Sequence, residues 1–76
     1  MPDEMNNNTG MQILVNGESR TLPENATLAD LISLMQLTGK RIAVEVNADI
    51  VPRSQHGDKV LNAGDQVEIV HAIGGG

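Results

Sequence analysis

The sequence predicts a small two-layer α+β domain, with a mixed sheet of four to five strands and one helix packed on one face. Three observations carry that expectation. Met11-Gln12-Ile13-Leu14-Val15, Arg41 to Val46 and Gln66 to Ile73 alternate apolar with polar residues, the period-two mark of strands with one buried face. Leu28 to Leu37 instead repeats its apolar residues with helical period. Asn16-Gly17 directly follows the first alternating segment and is the strongest short hairpin signal. One amphipathic helix can cover one face of one sheet, which makes two layers.

The elements follow in order. Residues 1–10 (MPDEMNNNTG) are polar and aperiodic, and are expected to be a disordered N-terminal extension. The first strand opens at Met11 and buries Met11, Ile13 and Val15. After the turn, Glu18 to Leu22 returns as the second strand, ended by Pro23, which has no N–H for a ladder. Thr27 is the expected helix N-cap, with Asp30 three residues on standing where a capping box usually has Glu or Gln. Leu28, Leu31, Ile32 and Met35 form the stripe, widened by Leu34 and Leu37. Gly39 is the expected C′ residue, with Lys40 and Arg41 near the negative end of the helix dipole. The third strand follows, then a turn at Asn47-Ala48-Asp49. Ile50-Val51 is a short strand kept to an edge by Pro52. Ser54 to Asp58 suits one helical turn capped by Ser54, and Ala63-Gly64-Asp65 turns the chain into the last strand. A helix crossing back from the first hairpin places both chain ends centrally. The last strand then lies beside and parallel to the first, the β-grasp (ubiquitin-like) arrangement. The expected division is an extension at 1–10, a β-grasp domain at 11–73 and a flexible glycine tail at 74–76.

Composition narrows the function. Seventy-six residues make one domain with a modest core. The absence of cysteine excludes disulfides, thiolate metal sites and a thiol nucleophile. Ten acids against five bases give a net charge of −5, and there is no Phe, Tyr or Trp. Nucleic-acid binding normally needs a basic footprint and stacking platforms, so this chain is not expected to bind it. An acidic surface suits docking to basic patches on protein partners. No apolar run approaches the length of a membrane span, and no basic-apolar signal pattern opens the chain, so a cytoplasmic location is expected.

The side chains offer little chemistry. His71 continues the core-facing alternation and is read as structural; His56 lies in a polar turn and is read as solvated. No serine lies in a nucleophile elbow, and the glycines form no phosphate loop. No catalytic residue, bound cofactor or metal site is therefore expected. The tail is different. A strong strand runs without a linker into Gly74, Gly75 and Gly76. Glycines contribute nothing to a core, but extended they form a thin arm of about 10 Å that can carry the Gly76 carboxylate into a partner's narrow site. Strand alternation also places Leu14, Glu68, Val70 and Ala72 on the sheet face away from the helix, joined by Ala43 and Glu45. The expected partner-docking patch is Leu14 and Val70 on adjacent strands, beside the tail and rimmed by Glu45 and Glu68.

These residues carry a resemblance. Met-Gln-Ile-x-Val-Asn-Gly at Met11 to Gly17 and Thr-Leu-x-x-Leu-Ile at Thr27 to Ile32 resemble the ThiS family of sulfur carriers in thiamine biosynthesis. So do Val-Asn-x-x-Ile-Val-Pro-Arg at Val46 to Arg53, Gly-Asp-x-Val-Glu-Ile-Val at Gly64 to Val70, and the terminal glycines. The resemblance spans residues 11–76. Gly75 and Gly76 match the family's diglycine, and Gly74 is an additional glycine. The resemblance implies that a ThiF-type enzyme uses ATP to adenylate the Gly76 carboxylate. A relay fed by a cysteine desulfurase then leaves a thiocarboxylate, and a ThiG-type thiazole synthase takes the sulfur. The chain itself would be a carrier substrate and not an enzyme. The competing readings are a molybdopterin-synthase small subunit, a ubiquitin-like modifier that conjugates to lysines, and a plain interaction module with an inert tail. The Ile50 to Arg53 segment favours the ThiS family over the molybdopterin-synthase small subunit.

Overall fold

The computed structural model describes residues 10–72. The expected extension as far as Thr9, and Ile73 with Gly74, Gly75 and Gly76, lie outside the described residues. Strand β1 (Gly10–Val15) opens one residue ahead of Met11 and pairs antiparallel with β2 (Glu18–Pro23). Asn16 and Gly17 join them with φ of 51° and 85°. Positive φ at both central positions is what a type I′ turn demands.

Helix α1 spans Leu28–Leu34. Its capping box is complete: the Asp30 N–H donates to Thr27 Oγ1 at 3.2 Å, and the Thr27 N–H donates to Asp30 Oδ2 at 2.9 Å. Aspartate thus fills the place where Glu or Gln is usual. The helix stops three residues before Leu37. Gln36, at φ 61°, takes the left-handed position expected for Gly39. The Gln36 N–H donates to the Ser33 carbonyl at 3.0 Å and the Leu37 N–H to the Ile32 carbonyl at 2.9 Å, the paired bonds of a Schellman motif. Leu37 then packs against the core from beyond the helix.

Strand β3 (Ile42–Val46) turns into β4 (Asp49–Ile50) through Asn47 and Ala48, both at positive φ. The turn therefore has two residues, not the three expected, and Asp49 belongs to the strand opposite Val46. After Pro52 a short 3₁₀ helix covers Arg53–Gln55, with no side-chain cap from Ser54 or any other residue. Strand β5 (Gln66–His71) closes the described chain. The sheet order is β2-β1-β5-β3-β4, with β5 parallel to β1 and antiparallel to β3. The first and last strands are interior and β4 is an edge, the expected β-grasp arrangement.

Ile13, Val15, Val44, Val67 and Ile69 from the sheet meet Leu28, Leu31 and Ile32 from the helix in one core. Leu34 does not join them and stands 58% exposed. At about 100° per residue, Leu28, Leu31, Ile32 and Met35 lie within about 50° of one direction, and Leu34 falls about 110° from it. The two histidines exchange the expected roles. His71 is exposed, because it lies at the far end of β5. His56 is buried, and its Nε2 lies 3.1 Å from the Val51 carbonyl. A carbonyl only accepts, so Nε2 carries the donated proton. The backbone around His56 finishes the helix start. The Ala29 N–H donates to the His56 carbonyl at 3.0 Å, and the Leu28 N–H to the Lys59 carbonyl at 2.8 Å. These are amides that the first helical turn cannot satisfy itself. Among the described residues, no helix is long and apolar enough to cross a membrane.

Candidate functional site

The site has two parts: the terminus expected to carry the chemistry and the sheet face expected to hold a partner. Gly74, Gly75 and Gly76 lie outside the described residues. The structure describes the base from which they continue. β5 is paired with β3 as far as His71 opposite Ile42, and the Ala72 N–H donates to the Arg41 carbonyl at 2.9 Å. The last described residue is thus held by the sheet.

Leu14, Glu45, Glu68, Val70 and Ala72 are all exposed. Each alternates with a buried neighbour on its strand or continues that alternation, so all five share the face turned away from α1. The structure does not, however, bring Leu14 and Val70 together. Leu14 is the partner of Gln66, and Val70 is the partner of Ala43. Val70 lies four residue steps along β5 from Gln66, about 13 Å. The expected Leu14–Val70 patch is therefore split. Alternation fixes which face a side chain takes, but the offset between two strands depends on long-range pairing.

The apolar patch forms on the other side of Val70. Ile50, on β4, is the partner of Glu45, and Ala43 lies between β4 and Val70. Ile50 is 75% exposed and Val70 56% exposed. Together with Ala43, Val44, Glu45 and Glu68 they line a shallow depression of about 130 Å³. Glu45 and Glu68 are direct cross-strand partners, and like charges so placed repel. The depression thus has apolar surface beside a concentrated negative charge. Ile50 was not among the residues expected here, because a three-residue turn at Asn47-Ala48-Asp49 hides its pairing. Reading Asn47-Ala48 as a two-residue turn places Ile50 opposite Glu45 at once.

Among the described residues no three His, Asp or Glu side chains converge as a metal cluster would require. A larger open depression of about 370 Å³ lies by the helix start, lined by Pro23, Asn25, Asp30 and Leu34 among others. Asp30 there is committed to the capping box.

The comparisons decide the family. The ThiS family profile matches residues 13–76, most of the chain and all of its glycine tail. The chain belongs to the ThiS family. It is 36% identical over 53 residues to the sulfur carrier protein ThiS of Bacillus subtilis, covering 70% of this chain and 80% of that one. Its fold superposes on the crystal structure of the thiamine biosynthesis protein ThiS from Geobacter metallireducens with a TM-score of 0.76 and 28% identity. That match covers 87% of this chain and all of the other. It is also 38% identical over 66 residues to a protein named thiazole synthase from Paramagnetospirillum magneticum, covering 87% of this chain. The chain spans only 20% of the length of that relative. A ThiS-family segment there forms part of a longer polypeptide.

Proposed function

We propose that this chain is a sulfur carrier of thiamine biosynthesis, and that Gly76 carries the sulfur as a C-terminal thiocarboxylate. The observation that carries the reading is the family match running through residue 76, so that it includes the terminal glycines. A carboxylate is a poor electrophile. In the proposed sequence a ThiF-type adenylating enzyme lets the Gly76 carboxylate attack the α-phosphorus of ATP, releasing pyrophosphate and leaving an acyl-adenylate. A persulfide supplied by a relay from a cysteine desulfurase then attacks the acyl carbon and displaces AMP. A second thiol of the relay cleaves the S–S bond of the acyl disulfide so formed, releasing the Gly76 thiocarboxylate and leaving a disulfide on the relay. A ThiG-type thiazole synthase receives the sulfur. The relative in which a ThiS-like segment and a thiazole synthase share one chain supports that last partner. The carrier binds no cofactor, works in the cytoplasm where ATP is available, and leaves catalysis to its partners.

Residues 74–76 act as the arm, and the sheet face opposite α1 acts as the grip. The grip is centred on Val70, with Ala43 and Ile50, and is flanked by Glu45, Glu68 and Ala72; Leu14 lies at its far margin. Holding the body fixes where the arm points, which is how binding contributes to rate. Mass spectrometry of protein isolated from cells tests the carrier reading. One oxygen replaced by sulfur, localised to Gly76, is the expected result. Localisation matters because methionine oxidation gives the same nominal gain, and Met1, Met5, Met11 and Met35 can oxidise. A ladder of protein adducts in place of that mark overturns the reading in favour of a protein modifier.

A further inference from the structure

Asn16 holds more of β5 than a turn residue needs to. β1 supplies β5 with only two residue partners, Leu14 for Gln66 and Val15 for Val67. At Asn16 the chain leaves β5 for the hairpin. The Asn16 N–H still reaches the Val67 carbonyl at 2.8 Å. The side chain then continues the ladder: Oδ1 accepts from the Ile69 N–H at 2.8 Å, and Nδ2 donates to the Ile69 carbonyl at 3.0 Å. One residue supplies two rungs. The partners assign the amide's orientation, since the reverse would set donor against donor and acceptor against acceptor. The turn itself does not require this amide, because glycine accepts positive φ at least as well. What the amide adds is a second held edge at Ile69, the last core residue of β5. The opposite edge of β5 belongs to β3.

We propose that Asn16 is a positioning residue for the C-terminal arm. It clamps β5 on its β1 side where the strand leaves the core, and so sets the line along which Gly76 is presented. This rests on the carrier reading above. β3 holds the other edge of β5 through His71 and Ala72, so with Asn16 in place the strand is fixed from both sides just before its exposed end. Without that clamp it can twist and shift on β3 alone, and reaction rate falls steeply with misplacement of the reacting group.

The test compares Asn16→Gly with Asn47→Gly in the full chain. Asn47 is also a turn residue at φ 53°, and its side chain also bonds β5, accepting from the Gln66 N–H at 3.0 Å, but at the strand's beginning. Both variants keep a glycine-compatible turn and both lose a side-chain contact to β5. Amide exchange by NMR is expected to quicken at Ile69 in Asn16→Gly by on the order of tenfold, with Glu68 and Val70 unchanged. With a ThiF-type enzyme and ATP, below the melting temperature of both variants, single-turnover adenylation of Asn16→Gly is expected to slow by on the order of tenfold at saturation. Its half-saturating concentration should stay within about twofold, and Asn47→Gly should keep the wild-type rate. Unchanged exchange at Ile69, a wild-type adenylation rate in Asn16→Gly, or equal slowing in Asn47→Gly each overturns the proposal. A wild-type chain that takes no adenylate overturns the carrier reading and the positioning role with it; the exchange data still decide the clamp.

Discussion

Replacing Leu31 and Leu34 with alanine, one at a time, separates core from surface within a single helix. Leu31 is fully buried and Leu34 is 58% exposed. Leu31→Ala removes three buried carbon groups, at about 0.8 kcal/mol each, or about 2.4 kcal/mol of transfer free energy. The cavity left in the core adds to that, so the expected loss is about 3–4 kcal/mol. A domain of this size has roughly 4–11 kcal/mol of stability in all. The substitution therefore removes a large share and lowers the melting temperature by roughly 15–25 °C. Leu34→Ala gives up mostly exposed surface and gains slightly in helix propensity, so its loss should stay below about 1 kcal/mol. The chain has no Phe, Tyr or Trp, so unfolding is followed by far-ultraviolet circular dichroism in urea and on heating. A loss below about 0.5 kcal/mol for Leu31→Ala, or an equal loss for both variants, would show that the helix face is wrongly assigned.

Deleting Gly75 and Gly76 should leave the melting temperature unchanged and abolish ATP–pyrophosphate exchange with a ThiF-type enzyme; retained exchange contradicts the carrier reading. Val70→Asp and Ile50→Asp each replace exposed apolar contact surface with a charge that docking would have to desolvate, so partner affinity should fall in titration calorimetry while the fold persists. Full affinity in the double variant moves the grip elsewhere, and unfolding would mean that the sheet faces are reversed. Glu68→Lys turns a like-charge cross-strand pair into an opposite-charge one. It should raise stability by about 0.5 kcal/mol at low salt, with the gain fading as salt screens it, and should weaken docking to a basic partner surface. No gain at low salt refutes the repulsion argued for Glu45 and Glu68.

Much of this protein is local, and local features were legible in the sequence. Alternation at Met11, Ile13 and Val15 identifies a half-buried strand because side chains point to opposite faces with period two. Asn16-Gly17 identifies a hairpin because few residue pairs accept positive φ twice. The stripe of Leu28, Leu31 and Ile32 identifies the buried helix face. Even the parallel placement of the last strand beside the first followed from one hairpin and one crossover.

Only the tertiary structure decided what depends on how distant segments meet. The pairing of β1 with β5 separates Leu14 from Val70, and the β3–β4 turn brings Ile50 into the patch instead. Burial of His56 and exposure of His71 depend on where the loop after β4 closes over the helix start and where β5 outruns its cover. The bonds from Asn16 to Ile69 join residues 53 apart in sequence, through a side chain whose local signal says only turn. Period reports the face of a residue and turn chemistry reports the bend of the chain. Neither reports the offset between strands, which is set by the packing of the whole core and by the backbone groups left for it to satisfy.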